Sequence, residues 1–248
     1  MKRTLCFAKR NLKEIVRDPL SLGFGIVLPI AILVLLSLIN SNIPEEAKNN
    51  MFEISKLAPG IGVFGLSFIA LFAALLISKD RGSSFMLRLY TSPMTGGNFI
   101  LGYTLPLLPM AAAQLVVCFA AAIALGLPVS VNLLLCVAVC LPITVVNIAI
   151  GLISGTCLNE KAVGGLCGAL LTNLTAWLSG CWFSLDLLGG TFKQIAYILP
   201  FANAVDAARA AVSGDFAAIP GKLWVVCVWA VGLMAVAIVL FARKKKLK

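Results

Sequence analysis

The chain has 248 residues, of which 60% are apolar and 12% charged, and a mean hydropathy of +1.02. An average soluble domain carries roughly 25% charged residues, so this composition excludes an ordinary water-soluble globule and describes an all-α polytopic membrane protein. The net charge of +10 reads as Lys and Arg fixing orientation in a bilayer rather than as nucleic-acid binding, and the lack of histidine removes imidazole metal sites, Ser-His-Asp or Cys-His catalysis and a histidine proton relay.

The first element is MKRTLCFAKRNLKEIVRDP. Leu5, Ala8, Leu12 and Ile15 form one stripe at helical spacing, Arg3, Lys9, Arg10, Lys13 and Arg17 cover the remainder, and Asp18-Pro19 breaks the helix. This pattern predicts an amphipathic helix lying in the plane of the inner leaflet. The apolar run that follows is too long for the core of a signal peptide. No small-x-small cleavage site appears in INSNIPEEA, so it reads as a retained span.

Six spans are expected, at about 21–39, 58–77, 99–125, 131–157, 162–183 and 223–241, since a helix needs about 20 apolar residues to cross the hydrocarbon layer. Pro106, Pro109 and Pro142 predict tilt or kinking in the third and fourth. With the N-terminus inside, fifteen of the twenty Lys and Arg fall in inner segments. The five outside are Lys48, Lys56, Lys193, Arg209 and Lys222. The asymmetry places both termini in the cytoplasm, in a multi-pass protein of the bacterial plasma membrane.

Between the second and third spans stands KDRGSSFMLRLYTSP, residues 79–93. On a helix Met86, Leu89, Tyr90 and Pro93 share one side and Arg81, Ser84 and Arg88 the other, with the helix ending near Thr91 ahead of Pro93. An interfacial helix resting on acidic lipid would fit this pattern, as would a rigid lever offering its cationic face to a cytoplasmic partner.

The spans themselves carry essentially no charge, which weakens an ion-coupled mechanism. Polar residues within them include Gln114, Thr144, Asn147, Thr172, Asn173 and Thr175, expected to make inter-helix hydrogen bonds, with substrate contact as the alternative. GLISG at 151–155 and GGLCG at 164–168 both contain GxxxG, whose physical meaning is close helix approach. The eight cysteines lack a CxxC pair and read as small helix-facing residues rather than metal ligands or a disulfide framework.

Residues 184–222 are too long for a plain loop. Phe192, Ile195, Ala196 and Leu199 share a face until Pro200, then Val205, Ala208 and Val212 share another, with Gly214 as C-cap. Two short external helices are predicted, with Asp206 and Arg209 forming an exposed ion pair at i, i+3.

Taken together, three stretches give the chain a likeness to a known family. RNLKEIVRDP at 10–19, KDRGSSFMLRLYTSP at 79–93 and LSGCWFSLDLLGGTFKQIAYILPFANAVDAAR at 178–209 resemble, in order and spacing, segments of the permease subunits of type-2 ABC exporters. Ser184 and Gly189 depart from the family's usual prolines in the external loop. The resemblance implies a single transmembrane domain over 1–248. It also implies that 79–93 is a coupling helix docking on an ABC nucleotide-binding (ATPase) subunit. Asp80, Arg81, Ser84, Phe85, Arg88 and Leu89 are then the candidate contacts, with Met86 and Tyr90 bracing the helix.

No GxxxxGK[ST] phosphate loop occurs in the chain. No cofactor is expected on it, ATP and Mg belonging to the partner. The implied partners are that ATPase subunit, a second permease chain as homo- or heterodimer, and membrane lipid. The implied function is ATP-driven export of a solute of the drug, peptide, lipid or glycan class. The chain is expected to be no enzyme itself, and no substrate ligand is named. A stand-alone secondary transporter or channel is the alternative.

Overall fold

A computed structural model describes residues 2–19, 23–44, 50–83, 85 and 95–246. Helix α1 spans Lys2–Val16. Helices α2 (Gly23–Asn42), α3 (Ile54–Gly82), α4 (Gly96–Ala124) and α5 (Asn132–Cys157) are each long and apolar enough to cross a membrane. A helical run at 160–178, α6, comes next, built from Glu160–Val163, a π-helical stretch Gly164–Leu171 and Thr172–Leu178. Three shorter helices follow, α7 (Leu185–Leu188), α8 (Gly190–Ile198) and α9 (Pro200–Ser213), before the last spanning helix α10 (Ile219–Lys246).

Among the described residues, five helices are therefore long and apolar enough to span, or six if the bent pair α8–α9 is counted as one. The expected fifth span at 162–183 is not among the five. It starts at Glu160 and stops at Leu178, because Gly180 takes φ +65°, a conformation that suits glycine and turns the chain out of the helix. The next residues fold back, and Trp182 donates its indole N–H to the Ala176 carbonyl at 3.0 Å.

Helix α3 is the centre of the bundle. Within its most apolar window 89% of residues are buried, against 17% for α2 and 22% for α10, so α3 meets protein on all sides while those two present broad faces outward. Its closest partner is α5. A Cβ on Gly151 would overlap the Ala70 carbonyl oxygen, and one on Gly155 would overlap Ile77 and the Ala74 carbonyl. The first GxxxG thus works as expected, bringing two backbones together where no side chain fits. The second does not. Among the described residues a Cβ on Gly164 would meet nothing, and one on Gly168 would make only ordinary contact with Leu71 at 3.4 Å.

The first helix forms as the pattern predicts, and one of its faces packs on the bundle. Thr4, Phe7, Ala8, Asn11 and Ile15 are buried, while Leu5 and Leu12 from the expected stripe are exposed together with Val16. Two polar positions lie in the buried stripe because Asn11 donates its amide to the Gly102 carbonyl of α4 at 3.0 Å, and Phe7 lies flat on Gly102, where a Cβ would collide with its ring.

Two helices form over 190–213, as the pattern predicts. They are bent by 80° at Leu199-Pro200, and Pro200 takes the first turn of α9. Asn203 caps the end of α8, donating to the carbonyls of Tyr197 at 2.8 Å and Leu199 at 3.0 Å. Gly214, at φ +81°, closes α9. The expected exposed Asp206–Arg209 pair is not what forms. Arg209 turns inward and donates to the carbonyls of Lys56 (3.1 Å), Gly180 (3.0 Å) and Cys181 (3.4 Å), while Asp206 pairs with Lys222 at 3.2 Å and accepts the Tyr197 hydroxyl at 2.8 Å. The carbonyls lie just past the end of α6 and in the first turn of α3, and a guanidinium supplies donors to all of them from one position.

The polar residues of the spans also turn elsewhere than expected. Thr144, Thr172 and Asn173 donate to carbonyls of their own helix, at Cys140 (2.9 Å), Cys167 (3.1 Å) and Ala169 (2.8 Å). A short side chain reaches back one turn more easily than across to a neighbouring helix. Gln114 and Asn147 are buried and make no side-chain hydrogen bond among the described residues.

Candidate coupling site

Both ends of the chain lie at the same end of the bundle. Lys244 of α10 donates to the Thr156 carbonyl of α5 at 2.7 Å, and Asn11 of α1 reaches Gly102 of α4. Into this end runs the last turn of α3, with Asp80 and Arg81.

Asp80 is 2% exposed. One of its carboxylate oxygens accepts a hydrogen bond from Arg10 at 2.7 Å and from the Tyr103 hydroxyl at 2.9 Å. A carboxylate taken out of water survives only with such compensation. The same guanidinium pairs with Glu14 one turn along α1 at 2.7 Å, donates to the Asn11 side chain at 2.9 Å and stacks over the Phe85 ring at 4.5 Å. Burial alone would lower the pKa of Arg10, but the hydrogen bond and charge of Asp80 outweigh it, and the value ends above the ordinary one. Glu14 rises above the usual carboxylate range through burial, with Arg10 opposing.

Around this ion pair sits an aromatic cluster. Phe7 meets Tyr103 edge-on at 4.9 Å, Phe99 at 6.1 Å and Phe85 at 6.2 Å, and Phe99 packs on Phe241 of α10 at 5.2 Å. Arg81 points the other way. Its guanidinium donates to the carbonyls of Gly155 at 2.7 Å and Leu158 at 3.2 Å, at the C-terminal end of α5 where carbonyls lack helical partners. Ser83 closes α3 by donating its amide and hydroxyl to the Asp80 carbonyl.

Of the six expected contact residues, Asp80 and Phe85 meet on Arg10 while Arg81 turns to the end of α5, and all three are engaged inside the chain. Ser84, Arg88 and Leu89 lie outside the described residues, as do Met86, Tyr90 and Pro93. Arg10, Tyr103 and Phe7 complete the site and were not legible as its members. Arg10 looked like one cation among several on α1, and only the fold sets it opposite Asp80.

A family model described as ABC-2 type transporter matches residues 3–212. The chain belongs to the ABC-2 type transporter family. The match takes in α1, the rooted segment after α3 and the bent pair α8–α9, the three regions whose sequence carried the resemblance. No curated protein matches the chain. Membership makes this ABC-2 protein a multi-pass permease of an ABC transporter, a transport domain and not an ATPase, and implies an ABC ATPase subunit as partner.

Proposed function

We propose that this permease is the membrane subunit of an ATP-driven exporter, with ATP and Mg bound and hydrolysed on a separate nucleotide-binding subunit. The observation that supports the reading is the rooting of Asp80 and Arg81 at the end of α3, just ahead of the expected lever. Asp80 is tied to α1 and α4, and Arg81 to α5. A push on this segment would be delivered to several spans at once, which is what rigid-body alternating access requires. Asp80, Arg81 and Phe85 are the root of the coupling helix in this reading, and Ser84, Arg88 and Leu89 are the part that meets the ATPase. The count of Lys and Arg supports cytoplasmic termini.

A second permease chain, identical or related, would complete the pathway. In support, Gly164 and Gly165 on α6 have nothing opposite them among the described residues, and the polar Asn173 is exposed on the same helix. The cargo belongs to the drug, peptide, lipid or glycan class. Reconstitution tests the proposal. Vesicles holding the permease with a candidate ATP-binding subunit should accumulate a member of a solute panel only when ATP is present. Uphill accumulation by the permease alone, without nucleotide, would overturn it.

A further inference from the structure

Helix α1 divides into three sectors. One is its seat on the bundle, formed by Thr4, Phe7, Ala8, Asn11 and Ile15. The second is the exposed apolar trio Leu5, Leu12 and Val16, which fall within roughly 40° of one another at 100° per residue. The third, adjoining the trio, is the exposed row Lys9, Lys13 and Arg17. That row lines an open groove of about 910 Å³ whose opposite wall includes Lys79 from the last turns of α3.

The charge balance of the groove is uneven. Lys9, Arg10, Lys13, Arg17 and Lys79 face Glu14 and Asp18, leaving three positive charges in excess. Arg10 and Glu14 largely cancel, because they pair at 2.7 Å and Arg10 is also held by Asp80. Asp18 carries one compensating charge at the end of the groove. Lys9, Lys13, Arg17 and Lys79 have no ion-pair partner among the described residues. Unpaired cations converging from two helices form an anion-attracting surface. The neighbouring apolar trio gives that anion a hydrocarbon side, a combination soluble phosphates do not need.

We propose that the groove between α1 and the inner end of α3 is a seat for the phosphate headgroup of an acidic phospholipid. Lys9, Lys13, Arg17 and Lys79 supply the charge, and Leu5, Leu12 and Val16 enter the acyl layer beside it. The lipid then holds α1 from the side away from its bundle contact, and α1 holds Asp80 through Arg10.

Native mass spectrometry of the full chain, released from micelles containing phosphatidylglycerol or phosphatidylcholine, tests this without any ATPase. The chain should retain phosphatidylglycerol and shed phosphatidylcholine. Each cation near an acidic surface is worth about fivefold in binding, so joint neutralisation by Lys9→Gln, Lys13→Gln and Arg17→Gln should cut retention on the order of a hundredfold. Lys79→Gln alone, on a different helix, should cut it about fivefold, which keeps the proposal testable if the triple variant fails to fold. Lys193→Gln, outside the groove, should change nothing. Equal retention of the two lipids, or full retention by the Lys79 variant, would overturn the proposal. So would displacement of the lipid by soluble glycerol phosphate, which would make this a site for free anions.

Discussion

At Asp80 a carboxylate with almost no exposure meets a guanidinium that is partly in solvent, and the two do not share the consequences of mutation equally. Removing Arg10 strands a buried charge, whereas removing Asp80 releases an arginine that can reach water. We expect Arg10→Ala to cost about 3 kcal/mol, the low end for a broken buried pair, and Asp80→Asn clearly less, measured by thermal unfolding in detergent. Tyr103→Phe should fall between no effect and Arg10→Ala, since it removes one of the two donors to Asp80. Arg209 makes the same argument at the other end of the molecule. It satisfies three carbonyls from two separate segments, so Arg209→Gln should cost about 3 kcal/mol. Asp206→Asn, which loosens a half-exposed pair with Lys222, should cost about 1 kcal/mol or less. A larger loss from Asp206 than from Arg209 would restore the surface ion pair that local spacing suggested.

Among the elements, the tightest fit is between α3 and α5. Gly151→Leu would drive a side chain into the Ala70 carbonyl, and we expect a loss of about 3 kcal/mol seen as a lower melting midpoint. Gly165→Leu, with nothing within reach, should be tolerated. Both glycines sit in or beside a GxxxG, so sequence alone gave them equal standing. Most of the element plan was legible in that way. Apolar runs located the spans, Pro200 and Gly214 located the bent pair, and Asp18-Pro19 ended α1. What stayed hidden was what faces what. On α1 the apolar stripe was legible, but the face that meets the bundle was not. The bundle takes the face with Phe7 and Asn11, where Gly102 allows close approach and a carbonyl accepts the Asn11 amide. The shortening of α6 was hidden for a related reason. A glycine in an apolar run looks like any packing residue until its φ is known, and Gly180 is the one that turns the chain.

For the molecule as a whole, the two ends of the bundle are built differently. At the end carrying both termini, helices are cross-tied by charged groups, Arg10 to Asp80, Arg81 to α5 and Lys244 to α5. At the other end, a bent helix pair is pinned by Arg209 and by the indole of Trp229 donating to the Ile198 carbonyl at 2.9 Å. Ties of this kind make each end move as a unit, so force applied at one point near residues 79–93 would be spread over α1, α3, α4 and α5. The proposal that force enters here is tested most directly by crosslinking in vesicles. Ser84→Cys or Arg88→Cys, in a chain whose exposed native cysteines are changed by Cys6→Ser and Cys157→Ser, is treated with a bifunctional thiol reagent beside candidate ATP-binding subunits. The account predicts capture of an ATPase subunit at both positions, with a yield that changes when ATP is added. No capture at either position, from a permease that remains folded and bound to its ATPase, would contradict it.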